Sequence, residues 1–227
     1  SLILSSDNLY IGSQDYVNSK GLTKLSLSSF VSDVFIFEEI INMYPTSIYS
    51  LSRTKDALWV GGESVLLYHN TNDNYWRTLG YEKGVPDGPI FDLFSNDSHL
   101  WIGSNKGLSR IEQSTLNIDP IGIEEIFRNY SVYDIEYIES KFWFGTSVGL
   151  FIYSDEQSQL MQISDIGRKN FVDNIFNVIS IKFYDNSVYA VSDVGIIKFD
   201  FDKEEWDLFY SSSIYNNNQV LSMDVNK

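Results

Sequence analysis

Residues 90–111 read IFDLFSNDSHLWIGSNKGLSRI, and the chain repeats this pattern. Its centre is Leu100-Trp101-Ile102-Gly103, with Gly107-Leu108 a few residues further on. The same shape starts at Leu9 (LYIG), Leu58 (LWVG) and Phe142 (FWFG), and in weaker form at Val188 (VYAV). These starts lie 49, 42, 42 and 46 residues apart. Recurrence at about 40–50 residues, with every copy built of short strand-like runs, is the mark of a β-propeller blade.

Working outward, an apolar residue ten positions before each centre opens another strand: Ile48, Ile90, Val132 and Val178. Two positions on comes a small or acidic residue (Ser50, Asp92, Asp134, Ser180), then an aliphatic one (Leu51, Leu93, Ile135, Ile181). Ser1 and Leu2 fall in the same two columns, while Val220, Ser222 and Met223 open a sixth copy. A third strand follows Gly21, Gly107, Gly149 and Gly195; in the second repeat Ser64 takes the glycine's place. The fourth, least regular strand is expected over residues 34–37, 76–79, 116–119, 160–163 and 206–209, although 30–41 also has spacing that permits a short helix. The expected fold is all-β, a propeller of four-stranded antiparallel blades at about 1–41, 48–81, 90–121, 132–164 and 178–210. The first strand of a further blade is expected at 220–227. Six first strands against five complete repeats point to an excerpt of a larger ring rather than a closed five-bladed one.

Packing accounts for the repeated residue types. A blade is covered on both faces, so its second strand carries apolar residues throughout, with Trp59, Trp101 and Trp143 on one face and Leu or Ile on the other. The glycines suit close backbone approach or positive φ. The column Ser1, Ser50, Asp92, Asp134, Ser180 and Ser222 lies where blades crowd. Hydrogen bonds from one first strand to the next are its expected role, ahead of a cation held by Asp92 and Asp134.

Composition narrows the function. A net charge of −15 disfavours binding to nucleic acid, which requires a basic face. Only two alanines occur, among abundant Ile, Tyr, Phe and Ser, as expected for strands. There is no cysteine, which excludes disulfides and thiolate metal sites, and no cofactor motif, so no cofactor is expected. No signal peptide or apolar run of membrane-spanning length is apparent. Signals for catalysis are poor: His69 and His99, the two histidines, border turn segments and read as solvated turn residues, and adjacent carboxylates such as Glu124-Glu125 do not make a general acid–base pair.

The repeat V-x-S/D-I/L, turn, L-W-I-G-T/S, then G-L-x-R/K-I/Y resembles that of the two-component regulator propeller family. Repeats three and four carry the likeness best, and Gly84-Val85-Pro86-Asp87 is similar to the family's G-L-P-x lead into the first strand. The resemblance weakens in the first and fifth repeats, where Tyr replaces Trp and Val191 replaces Gly. It implies a sensor propeller, seven-bladed and often in tandem, periplasmic in bacterial hybrid histidine kinases that detect carbohydrates. Similar propellers occur in surface proteins, including a component of type IX secretion. The shared residues belong to core and turns, so the resemblance transfers no binding residue.

Strand direction locates the recognition surface. Fourth-to-first and second-to-third connections share one face, and the long segments 13–20, 38–47, 80–89, 122–131, 164–177 and 210–219 all lie there. Loops of this length on a rigid scaffold commonly carry binding. Residues on them suited to a polysaccharide or other small polar ligand are Tyr16, Tyr44, Arg128, Asn129, Tyr130, Arg168, Asn174, Asn177 and Tyr215. The expected function is a periplasmic or extracellular ligand-binding propeller that signals to attached domains. The alternative is a structural or protein-interaction propeller of a bacterial cell-surface or secretion assembly.

Overall fold

A computed structural model describes residues 1–13, 21–37, 40, 47–163, 177–193 and 195–211. Every repeat forms one four-stranded antiparallel sheet with its strands side by side in chain order. The first comprises β1 (Leu2–Ser5), β2 (Asn8–Gly12), β3 (Leu22–Ser26) and β4 (Ser32–Phe35); the second β5 (Ser50–Arg53), β6 (Ala57–Gly61), β7 (Leu66–Asn70) and β8 (Tyr75–Leu79). The third comprises β9 (Ile90–Ser95), β10 (His99–Ser104), β11 (Gly107–Glu112) and β12 (Asn117–Ile118). The fourth has β13 (Val132–Ile138), β14 (Lys141–Thr146), β15 (Gly149–Ser154) and β16 (Gln159–Ile163), and the fifth β17 (Val178–Tyr184), β18 (Ser187–Ser192), β19 (Gly195–Asp200) and β20 (Glu205–Ser211). A four-residue helix, α1 (Glu124–Phe127), follows the third blade. The chain divides into two units, Ser1–Asn129 with blades one to three and Tyr130–Lys227 with blades four and five.

The repeat columns superimpose in register. Trp59 lies between Ser52 and Tyr68, Trp101 between Phe94 and Arg110, and Trp143 between Glu136 and Ile152. All three are at most 2% exposed. Tyr10 and Tyr189 hold the same place in blades one and five. Within each unit the aromatic column of one blade packs on the aliphatic column of the next. Tyr10 meets Leu58, Val60 and Leu67; Trp59 meets Leu93, Leu100 and Ile102; Trp143 meets Ile181, Val188 and Ala190. Each tryptophan removes ~150–250 Å² from water, about 4–6 kcal/mol of transfer free energy before chain entropy is counted.

The two glycine columns have different causes. Gly61 closes β6 with ordinary extended backbone, but a Cβ there would stand 2.7 Å from Cγ2 of Ile90, the residue that opens the next blade. Gly149, at the start of β15, has φ +115°, and among the described residues nothing stands closer than 3.9 Å to where a Cβ would be, so its requirement is conformational. Between the columns a hydroxyl caps the turn: Thr146 Oγ1 donates to Gly149 O at 2.7 Å and accepts from Val148 N–H at 3.1 Å, as Ser104 does in blade three.

First strands lie beside first strands, β1 by β5 and β5 by β9 in one unit, β13 by β17 in the other. The small polar column links them. Ser50 Oγ donates to Ile90 O at 2.9 Å, and Asp134 Oδ2 accepts from Ile181 N–H at 2.5 Å. Ser52 and Ser95 hydroxyls meet at 2.7 Å, and Lys182 Nζ lies 2.7 Å from Glu136. Burial pushes the Asp134 carboxyl above its ordinary range, against the opposing pull of Lys182 and the Ile181 N–H.

Candidate functional site

The first and second blades meet with a defect in the pattern. The row Arg53–Leu58–His69–Trp76 crosses blade two on the face turned to blade one. In the strand register, the place of His69 is taken by Leu25, Ile111, Tyr153 and Phe199 in the other blades. The place of Arg53 is taken by Leu4, Ser95, Tyr137 and Phe183. Only blade two has a cation and an imidazole in these two positions. Opposite them stands Tyr10, a smaller ring than the tryptophan of blades two to four.

The result is a pocket of about 370 Å³, open at the first-to-second and third-to-fourth strand turns. Blade one lines it with Asn8, Tyr10, Lys24 and Phe35, and blade two with Arg53, His69 and Asn74. That volume falls within the range of small-molecule sites.

His69 is 6% exposed, which corrects the expectation of a solvated turn histidine. Its ring stacks on Trp76 with centroids 4.3 Å apart and planes 11° from parallel. Nε2 lies 3.0 Å from Asn74 Oδ1, a carbonyl oxygen that only accepts, so Nε2 carries the proton. Burial holds the imidazole below its ordinary pKa against the opposing effect of Asn74, and the Lys24 charge adds to the lowering. The ring is therefore neutral and Nδ1 presents a lone pair. That buried Nδ1, like the buried Nε of Arg53, has no hydrogen-bond partner among the described residues.

The cations of the pocket differ from their counterparts. Arg110, which occupies the Lys24 column in blade three, lies over Trp101 at 5.1 Å and pairs with Asp119 at 2.6 Å; His99 meets the same carboxylate at 3.0 Å. Lys198 in blade five lies 3.6 Å from Asp200. Lys24 has Asp33 as its cross-strand neighbour, yet neither Lys24 nor Arg53 forms an ion pair among the described residues.

Of the residues expected to bind, Arg128 and Asn129 are exposed just after α1, and Arg128 pairs with Glu125 at 2.9 Å. Tyr130 and Asn177 are half-buried and belong to the second unit, where Asn177 O accepts from Asp193 N–H at 3.3 Å. Tyr16, Tyr44, Arg168, Asn174 and Tyr215 lie outside the described residues. The pocket opens on the side of the short turns, which loop length does not single out. The signal that finds it is a polar interruption in two otherwise mostly apolar columns.

No family model matches the chain. No curated protein matches it either. Among solved structures, it is similar in fold to the extracellular domain of a one-component system from B. thetaiotaomicron, with TM-score 0.73 and 17% identity over 95% of this chain and 28% of that one. The extracellular domain of a hybrid two-component system from the same organism gives TM-score 0.70 and 15% identity, covering 96% of this chain and 29% of the other. PorZ, a surface component of the type IX secretion system of Porphyromonas gingivalis, gives 0.65 and 11%, covering 92% and 28%. The chain thus spans under a third of each of these three. At these identities the likeness concerns fold: five blades of a β-propeller. No helix among the described residues is long and apolar enough to cross a membrane.

Proposed function

We propose that this chain is part of an extracytoplasmic ligand-binding propeller, the sensing portion of a signalling receptor, and that its ligand is small and polar, with sugar-like hydroxyls. The observation that carries this reading is the pocket between blades one and two. There, Arg53 and His69 line a cavity of ligand size, and each has a buried nitrogen without a hydrogen-bond partner among the described residues. An unpaired buried polar atom costs about 1–3 kcal/mol, a cost that a bound molecule can offset. The long-loop residues Tyr16, Tyr44, Arg128, Asn129, Tyr130, Arg168, Asn174, Asn177 and Tyr215 stay individually proposed as further binding residues, for a polysaccharide or a protein partner. Likeness to extracellular domains of signalling systems supports this assignment. Likeness to PorZ supports a second reading, a protein-interaction propeller in a surface assembly.

A thermal-shift screen with neutral and acidic mono- and oligosaccharides tests the proposal. A saturable rise in melting temperature with at least one of them is expected. No shift with any of them, alongside capture of a defined protein partner, would favour the second reading.

A further inference from the structure

The geometry points to a compact hydroxylated anion, a sugar acid or sugar phosphate, as the ligand of the pocket between blades one and two. This inference rests on the ligand-binding reading above and specifies its chemistry. Three features of the pocket wall select for that class.

The first is charge. Lys24 and Arg53 line one cavity without an ion-pair partner among the described residues, in a chain whose net charge is −15. The repeat demands neither cation: the Arg53 position accommodates Leu, Ser, Tyr and Phe elsewhere, and the cations in the Lys24 column of blades three and five have carboxylates beside them. An anion in the cavity would supply the missing countercharge. The Arg53 guanidinium offers it charge-assisted hydrogen bonds, which are stronger than neutral ones.

The second feature is the imidazole lone pair. Because Asn74 holds the proton on Nε2, buried Nδ1 of His69 is an acceptor. It cannot bond an ionised carboxylate or phosphate oxygen, which carries no proton. It requires a hydroxyl or N–H on the same ligand. An anion without an O–H or N–H leaves Nδ1 unsatisfied, and a neutral sugar leaves the two cations without a countercharge; a hydroxylated anion answers both.

The third is shape. Phe35 and Tyr10 give the cavity apolar ring surface, and Asn8 adds an amide at its rim. Ring faces and amides suit the C–H faces and hydroxyls of a compact polyol.

The test is isothermal titration of the whole 227-residue chain with D-glucuronate, D-glucose 6-phosphate and D-glucose, at low and at physiological salt. Two variants replace a pocket residue by one that another blade carries in that column: Arg53→Ser, as at Ser95, and His69→Phe, as at Phe199. Both are therefore compatible with the blade fold, and far-UV spectra and thermal melts check that each remains folded. We expect at least one anion to bind saturably, glucose to bind at least about tenfold more weakly, and Arg53→Ser to weaken the anion about tenfold or more. Comparing glucuronate with glucose 6-phosphate identifies which anionic group is preferred. His69→Phe should weaken both anions while barely changing the salt dependence, since it removes an acceptor and not a charge.

Absence of saturable binding by either anion overturns the inference, as does full affinity retained in Arg53→Ser. Binding of glucose as tight as glucuronate, and lost in His69→Phe, would overturn the anionic ligand while leaving the ligand-binding function in place.

Discussion

Replacing Gly61 by alanine tests whether adjacent blades are in contact at the position the repeat reserves for glycine. The backbone of Gly61 is extended and admits alanine without strain, so the effect arises from space alone. The new methyl would lie 2.7 Å from Ile90 Cγ2 and closer still to Ser50 Oγ. Ile90 is fully buried, and the Ser50 hydroxyl bonds Ile90 O at 2.9 Å. Moving the serine gives up a buried hydrogen bond, about 0.5–1.5 kcal/mol. Displacing the isoleucine overpacks the interface between blades two and three, roughly 1–3 kcal/mol. A loss of about 2–4 kcal/mol is expected, measured by urea unfolding followed through tryptophan fluorescence at constant m-value. Ser50→Gly in the same chain should recover part of it, because the nearest obstructing atom is then gone. Gly149→Ala is the control. Among the described residues no non-adjacent atom lies closer than 3.9 Å to its Cβ, so its cost, ~1–3 kcal/mol from positive φ, should resist rescue by trimming any of them. A Gly61→Ala protein within about 0.5 kcal/mol of the parent would refute the claim that blade three abuts this backbone.

Other consequences follow from the polar contacts. Burial raises the Asp134 pKa in the folded state, so its contribution to stability is fully present below the unfolded carboxylate value near ~4 and is lost as pH rises through the folded value. Asp134→Asn keeps an acceptor for Ile181 N–H and removes this ionisation; a urea midpoint falling less between pH 4 and 8 than the parent's is expected, and an unchanged profile would sink the assignment. Asp119→Ala takes away the carboxylate 2.6 Å from Arg110, a side chain only 10% exposed, and should cost about 1–3 kcal/mol by the same unfolding measurement. Trp143→Ala should cost ~3–5 kcal/mol and sharply lower the melting temperature, since the ring fills the interface between blades four and five.

The fold was legible because the recurring residues are those that blade stacking requires: Trp59, Trp101 and Trp143 could be aligned by eye, and their strand pairing follows the same count. The outermost strands were less legible. β4 begins at Ser32 rather than Val34, and β12 is only Asn117–Ile118, because an edge strand pairs on one side and its sequence is weakly constrained. The pocket is not legible in the local sequence for a different reason. Beside the turn that contains Asn74, His69 looks like a surface residue, and loop length points to the other side of the blades. Burial of His69 depends on Trp76 and Phe35 closing over it, a tertiary arrangement that no window around residue 69 contains. Setting His69 beside Ile111, Tyr153 and Phe199 would have exposed the anomaly.

The shared seam between neighbouring blades, rings on one side and branched aliphatics on the other, has a consequence for how such proteins diversify. The row that carries Arg53 and His69 belongs to this seam, since Leu58 and Trp76 in it are buried, so a change of chemistry there must be matched by space on the facing blade, as Tyr10 provides. A pair like Arg53 and His69 placed at Ser95 and Ile111, between blades two and three, would give up the Ser52–Ser95 contact and an apolar cluster member, and would need Trp59 trimmed to tyrosine to make room. One scaffold could then accumulate several distinct receptors along its circumference, each evolving independently of the others.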